Sequence, residues 1–542
     1  MDFSFINAPI YDGFNNSHSN TIYKTGRAVI GQKSICLFAH FNAAMKIEAY
    51  VVTYLEHLSN IGFDIYFISN SSIKRDYKTL LAEKVKNCRI YERENKGADF
   101  GAWKWAIEQN IIPADTDYLL LTNDSLYGPI FPLAPIVEEM QSRPGIDFWG
   151  LTESYQGGWH LQSYFLLLSK KAFTSDAYKK VFDQEFATLN KREIIARGEL
   201  LLSRSLSDAG LKSSAYVRYD ELEPNFESWD AKNPTHFFWD KLIAEFSFPF
   251  VKKELILQNP ENIQNTDKIF SWVNEHSPYP IENIKQSISD YLASSSSPKE
   301  FPNKLSVLCH LYYPGSIYYF LSQIASLNSP QTYYFFNVSR SLFHNSFFLK
   351  MLRKHFPDAI IIYTPNQGRD IGGKLAALDV LMRCDIQTDY SLIIHDKLSP
   401  HAATGIEWRN RLFKTIDPVY LPEIFKKFRQ NKQAGIIAAQ EFIQNEFDPV
   451  EKKFTCTSNN NLLNYIKKYD LDTLDYKFAA GTIFWIRTEI LKRFFSIHPP
   501  LSVREELERG NSLDFEKGTN IHAWERLFSF VAHSQGFKTI GI

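Results

Sequence analysis

Three short strings recur about half the chain length apart, at nearly one spacing. Lys33–His40 (KSICLFAH) resembles Lys304–His310 (KLSVLCH), which sets His40 and His310 270 residues apart. Asn95–Asp99 (NKGAD) resembles Asn366–Asp370 (NQGRD) at 271, and Asp117–Ser125 (DYLLLTNDS) resembles Asp389–Lys397 (DYSLIIHDK) at 272. Spacings that agree so closely mark a tandem duplication, so whatever one half folds into the other must repeat. The match resumes beyond an insertion in the second copy. SYFLLLSKKAF pairs with GTIFWIRTEIL, which aligns Phe165 with Phe484 at 319. Glu199 precedes Gly210 by the same 11 residues that separate Glu525 from Gly536. The seam falls at SSSSP (Ser294–Pro298), a linker composition. The expected organisation is an N-terminal extension over 1–32, a first domain over 33–290, a linker over 291–303 and a second domain over 304–542.

Each copy alternates short apolar runs with amphipathic stretches. Ser34–His40, Asp64–Ser69, Cys88–Glu92, Tyr118–Thr122, Phe148–Thr152 and Ser163–Ser169 read as strands. Between the first two, Ile47, Tyr50, Val51, Tyr54, Leu55, Leu58 and Ile61 fall at helical spacing. Uninterrupted apolar strands suit a sheet covered by helices on both faces. The predicted fold class is therefore α/β: two tandem Rossmann-like domains, each with a mostly parallel or mixed central sheet. In such a sheet ligands bind at the carboxyl edge, where Asn123–Ser125 and His395–Lys397 end apolar strands.

Composition narrows the partners. Lys plus Arg number 60 against 61 for Asp plus Glu, so the chain carries no overall field for nucleic acid. Aromatics reach 15%, a supply of large side chains for cores and for the walls of sugar or nucleoside pockets. The 5 cysteines are scattered with no CxxC spacing, so neither a disulfide framework nor a zinc knuckle is indicated. Cys36 and Cys309 read as buried small hydrophobes. The opening MDFSFINAPIYDGF lacks the basic and apolar regions of a secretory signal, and no run is long and apolar enough for a membrane span. A cytoplasmic location is expected, with a peripheral contact at the inner membrane face left open.

An apolar strand that ends in a polar triplet around an Asp suits a diphosphate-sugar site. A departing nucleoside diphosphate needs a cation, Arg or Lys to stabilise it. Asp124 and Asp396 could each hold Mg²⁺ or Mn²⁺ against it, the first copy sooner than the second, where Arg369 and Lys397 could supply the charge directly. The plainer reading makes each triplet a strand end that caps the next helix. Asp99 and Asp370 follow Gly97 and Gly368 by two and open a helix, which fits an N-cap as well as a ligand to base or ribose. The two glycines would let backbone approach a ligand closely. Glu199 and Glu525 could take the acceptor hydroxyl's proton in a direct displacement, or could be ordinary helix residues. His160, Gln162, His401, Trp408 and Arg409 are acceptor-side candidates or core-edge residues. The helix LPEIFKKFRQNK (Leu421–Lys432) and the pair Lys252–Lys253 fit a solvated face or an anionic lipid surface.

These strings carry a family resemblance. GADFGAWK (Gly97–Lys104), NDSLYGP (Asn123–Pro129), DFWGLT (Asp147–Thr152) and HLQSYF (His160–Phe165) stand in the first copy. GRD (Gly368–Asp370), His395–Lys397, Trp408–Arg409 and HAWER (His522–Arg526) stand in the second. In these the chain resembles the bacterial rhamnan synthesis protein F family, rhamnosyltransferases of cell-wall and O-antigen polysaccharides. The resemblance implies two tandem GT-A-like domains and a nucleotide-activated donor, dTDP-L-rhamnose, with a polyprenyl-diphosphate-linked glycan as acceptor. It implies donor-binding roles for Asp99, Asp124, Ser125, Arg369, Asp370, His395 and Lys397, and acceptor roles for His160, Gln162, Trp408 and Arg409. Glu199 and Glu525 become the base candidates, which predicts inversion at the sugar carbon. Two alternatives stay open: a UDP- or GDP-sugar donor on the same fold, or one copy that serves as a non-catalytic carbohydrate-binding or assembly module.

Overall fold

A computed structural model describes residues 32–295, 300–384, 386–396, 411–511 and 518–542. The chain divides into two compact units, Met1–Leu255 with Asp267–Ser287, and Ile256–Thr266 with Ile288–Ile542.

In the first unit the strands are β1 (Ser34–His40), β2 (Phe63–Ser69), β3 (Cys88–Glu92), β4 (Tyr118–Asn123), β5 (Leu126–Tyr127), β6 (Phe148–Ser154), β7 (His160–Leu161), β8 (Phe165–Ser169), β9 (Ser213–Val217) and β10 (Val251–Lys252). The main sheet runs β3-β2-β1-β4-β8-β6, with β7 and β9 both on β6. The first four strands are mutually parallel and β8 is antiparallel to its neighbours. β1 and the last five residues of β2 are buried throughout, as expected of strands covered on both faces. The helix Ala49–Asn60 buries Tyr50, Val51, Tyr54, Leu55 and Leu58, the stripe that the spacing predicts.

The second unit repeats this plan. Its strands are β11 (Leu305–Leu311), β12 (Thr332–Val338), β13 (Ile360–Tyr363), β14 (Tyr390–His395), β15 (Ala434–Ala438), β16 (Ile443–Asn445), β17 (Phe447–Asp448), β18 (Lys453–Phe454), β19 (Lys477–Ala479), β20 (Phe484–Arg487) and β21 (Lys538–Gly541). The main sheet runs β13-β12-β11-β14-β20-β15-β21, the first order again with the same parallel and antiparallel senses. β16 to β19 form two small two-stranded sheets inside the insertion. Both units are thus mixed, mostly parallel sheets between helices, as the sequence predicts.

Register corrects the alignment in two places. β1 pairs Ala39 with Asn123, whereas β11 pairs His310 with His395. His310 therefore corresponds to Ala39, and His40 corresponds to Leu311. One residue reverses the face of a strand, so the two histidines point to opposite sides of their sheets. His40 meets Ser69 Oγ at 3.1 Å, while His310 meets Asn337 Oδ1 at 2.8 Å. Burial pushes the His310 pKa down to about 4. Likewise β8 and β20 align Leu166, not Phe165, with Phe484.

Cys36 and Cys309 are fully buried free thiols. The helix Leu421–Gln430 buries Leu421, Ile424, Phe425 and Phe428 in its own unit. No helix among the described residues is long and apolar enough to cross a membrane.

Candidate functional site

The strand-end aspartates hold one position in both copies. Asp124 Oδ2 accepts the Phe41 N–H at 3.1 Å. The matching Asp396 accepts the Tyr312 N–H at 2.8 Å and, on Oδ2, the Tyr313 N–H at 2.6 Å. Each carboxylate therefore braces the backbone that leaves the first strand of its sheet. Their surroundings differ. Asp124 and Ser125 are half-buried, whereas Asp396 is buried, which pushes its carboxyl well above the usual range.

The loops before the helices Ala98–Glu108 and Arg369–Arg383 are also copies. Gly97 and Gly368 lie at φ of 75° and 76°, and the next residues, Ala98 and Arg369, are left-handed too at 47° and 49°. Two such residues in a row turn the chain so sharply that the loop folds back on its own helix. A Cβ on Gly101 would stand 2.0 Å from the Lys96 carbonyl oxygen, and one on Gly372 would stand 1.8 Å from that of Gln367. A Cβ on Gly97 would meet Phe186, and one on Gly368 would meet Leu507. The glycines thus serve the loop's own packing. The helix N-caps are Gly97 and Gly368 themselves, and the side chains of Asp99 and Asp370 reach toward the strand end.

There the copies part. Asp99 Oδ2 accepts the Asn123 amide at 2.7 Å. Burial, reinforced by the charge of Asp124, pushes its carboxyl up to about 7, against the opposing pull of Asn123 and Lys252. Asn123 Oδ1 in turn accepts the Ser125 hydroxyl at 2.6 Å, and Ser125 Oγ accepts from Lys252 Nζ at 3.1 Å. In the second copy Asp370 Oδ2 accepts Lys374 Nζ at 2.8 Å and Thr482 Oγ1 at 3.1 Å. Lys374 also lies 2.9 Å from His395 Nδ1 and donates to the Thr482 carbonyl at 2.9 Å. Both His395 and Lys374 are buried. Lys374 occupies the helical position of Trp103, whose indole donates to the Leu37 carbonyl at 3.2 Å.

Glu199 and Glu525 are equivalent by structure as well as by string. The β6–β9 and β15–β21 registers pair Ser213 with Thr539, 326 residues on, the same interval as between the two glutamates. Glu199 Oε1 accepts the Ser163 N–H at 2.6 Å and its hydroxyl at 3.0 Å, while Ser203 Oγ accepts the Leu161 N–H at 3.0 Å. Glu525 Oε1 accepts the Gly481 N–H at 2.5 Å, and Ser529 Oγ accepts the Ala479 N–H at 3.2 Å. A Glu and a Ser one helical turn apart thus grip the approach to the same strand twice. One oxygen of each glutamate is fixed, so the state of the other decides the chemistry. Glu525 Oε2 takes Arg526 at 3.0 Å, and Arg526 forks onto both oxygens of Glu446 at 2.9 Å. Glu199 makes no ion pair among the described residues. It stands on a π-helical turn, Ile195–Leu200, where Gly198 fits against the Phe100 ring, and such turns often aim functional side chains.

On the acceptor side, Gln162 Oε1 accepts the Thr152 hydroxyl at 2.8 Å and its amide lies 3.5 Å from Asn233, while His160 Nδ1 lies 2.8 Å from the Gly158 carbonyl oxygen. Both are buried, so they support the floor beside β6. Lys397, His401, Trp408 and Arg409 lie outside the described residues. Sequence reasoning gave Lys252 only a surface role and did not single out Lys374. The signal for Lys374 is a lone charge within an otherwise apolar stretch, IGGKLAAL.

These donor sets fit a divalent cation poorly. Both Asp396 oxygens accept backbone N–H groups, and Asp124 has one oxygen engaged the same way. No cluster of three metal-ligating side chains occurs among the described residues.

A family model described as rhamnan synthesis protein F matches residues 65–537. The virulence protein VirA of Vibrio anguillarum is 29% identical over 209 residues, a match that spans 33% of this chain and 66% of that relative. The glycosyltransferase GlyE of Streptococcus pneumoniae aligns over 70% of this chain and 90% of its own, with 14% identity and a TM-score of 0.29. A nucleotide-diphospho-sugar transferase, so described as a putative one, from Desulfovibrio desulfuricans aligns over 34% and 80%, with 14% identity and a TM-score of 0.23.

Proposed function

The chain belongs to the rhamnan synthesis protein F family, and from that premise we propose that it is an inverting glycosyltransferase of bacterial surface polysaccharide whose transfer centre lies in the first copy. The donor is a nucleoside-diphosphate sugar, dTDP-L-rhamnose, and the acceptor is a hydroxyl of a lipid-linked glycan. The observation that carries this reading is the difference between the two glutamates. Among the described residues Glu199 keeps one oxygen outside any ion pair, while the corresponding oxygen of Glu525 meets Arg526. In the displacement the acceptor oxygen forms a bond to the sugar's anomeric carbon as the bond to the diphosphate oxygen breaks. The electron pair leaves with the diphosphate, and Glu199 takes the acceptor proton. Its bond from the Ser163 N–H fixes the carboxylate for that role. Asp99, Asp124 and Ser125 form the donor side at the carboxyl edge.

The internally paired charges of Asp370, Lys374 and Glu525 favour a second copy that holds glycan rather than transfers sugar. Incubation with dTDP-rhamnose and a lipid-linked rhamnose primer tests both statements through product mass and anomer. The expected product carries an inverted linkage, and Glu199→Gln stops its formation. A product with the donor's own anomeric configuration would remove Glu199 as base.

A further inference from the structure

Lys252 belongs to none of the strings that the duplication repeats. It enters the first copy's site on β10, whose pairing with β5 sets Lys252 opposite Leu126, just past the Asn123–Ser125 triplet. Its Nζ passes 4.3 Å from the centroid of the Tyr164 ring and ends 3.1 Å from Ser125 Oγ. Tyr164 is buried and bonds Thr152 Oγ1 at 2.5 Å, so the ring beneath the ammonium is fixed. Asp99, Glu199 and Glu254 act on Lys252 through space, but none pairs with it among the described residues. The Lys252 side chain is half-buried, and its ammonium has given up part of its hydration for a hydroxyl and a ring face while the carboxylates that favour its charge stay beyond pairing distance, an arrangement that an anion would complete. Lys374 shows the other solution: its ammonium is closed off by Asp370 at 2.8 Å.

We propose that Lys252 receives the donor's diphosphate and offsets the negative charge that grows on it as the sugar leaves, so that transfer in the first copy needs no divalent cation. The inference rests on the donor-site reading above and adds the group that does the neutralising. A dication drawn to Asp99 and Asp124 would meet the Lys252 charge in the same enclosed space, whereas a diphosphate meets that charge favourably. Ser125 then orients the ammonium, and the Tyr164 ring faces it as a cation–π partner.

Calorimetric titration of the full chain with dTDP, UDP and GDP, and with the matching nucleosides, in chelator and then in Mg²⁺, tests this. The wild type is expected to bind one of these diphosphates in chelator. Lys252→Met should weaken that binding by about 10–100-fold, the scale of one charged hydrogen bond, and leave nucleoside binding unchanged. Lys252→Arg, with a longer cation, should recover part of the loss, and circular dichroism checks that both variants fold. Diphosphate binding that is equally strong in Lys252→Met, or that appears only with Mg²⁺, would overturn the inference while leaving the donor site in place. Failure of the wild type to bind any of the three would remove the donor-site reading and this inference together.

Discussion

In the first copy the enclosed cation is Lys252, which arrives from a strand outside the repeated pattern and meets a hydroxyl and a ring. In the second it is Lys374, which sits on the repeated helix and meets Asp370. The frames around them are alike: the same strand order, the same pair of left-handed residues, the same bracing Asp, and the same Glu and Ser grip on the strand approach. Duplication therefore preserved the backbone solution and let the charges diverge. A copy whose charges pair with one another is stable on its own terms, whereas a copy whose cation and carboxylate form no ion pair among the described residues is poised for a ligand.

The widest predicted separation between the copies is in turnover. Glu199→Gln should reduce transfer by roughly 10²–10⁴-fold, the range for loss of a general base, while Glu525→Gln should change it only a few-fold. Equal losses would make both copies catalytic and break the contrast.

Stability should separate the lysines in the opposite sense. Lys374→Met removes the buried ammonium that Asp370, His395 and the Thr482 carbonyl share and should cost about 3–5 kcal/mol, read by chemical denaturation. Lys252→Met removes a cation that has no paired carboxylate and should leave stability near that of the wild type. If the two variants unfold alike, the difference in pairing is not energetically real.

Gly101→Ala and Gly372→Ala test the shared frame. Each added methyl meets a loop carbonyl, and each should destabilise by about 1–3 kcal/mol. Unequal costs would mean that the two loops are less alike than their dihedrals.

The smallest expected effect is a pH dependence. Asp99 faces Asp124, Glu199, Lys252 and the Asn123 amide, and its carboxyl is raised to about 7. Because the folded value lies above the unfolded one, its contribution to stability is full below the ordinary carboxylate range and is lost as pH rises toward 7. The same ionisation places negative charge beside the diphosphate, so nucleotide affinity should fall a few-fold as pH rises through that value. Asp99→Asn should flatten the fall, and an unchanged profile would assign it to another group.

Much of this fold is legible in the sequence, and its errors have one cause. The six strands proposed for the first copy and the Ile47–Ile61 stripe lie where the periodicity puts them. Yet the strings pair His40 with His310, and Phe165 with Phe484, each one residue out of register. β1 and β11 are buried on both faces, so they lack the alternation that would punish a slip. The string comparison followed the histidine; the hydrogen bonds follow the backbone. The candidate positions that the strings point to, Asp99, Asp124, Glu199 and their counterparts, are the ones that repeat. Lys252 does not repeat, and only β5–β10 pairing brings it to the triplet. Nor could strings reveal that Asp396 would be enclosed by two N–H groups while Asp124 stayed half-open.

The asymmetry itself is measured most directly by counting nucleoside diphosphate bound per chain at saturation. The account predicts one equivalent, bound about 10–100-fold more weakly in Lys252→Met and with unchanged affinity in Glu525→Gln. Two equivalents of equal affinity, or one whose affinity is untouched by the loss of Lys252, would contradict it.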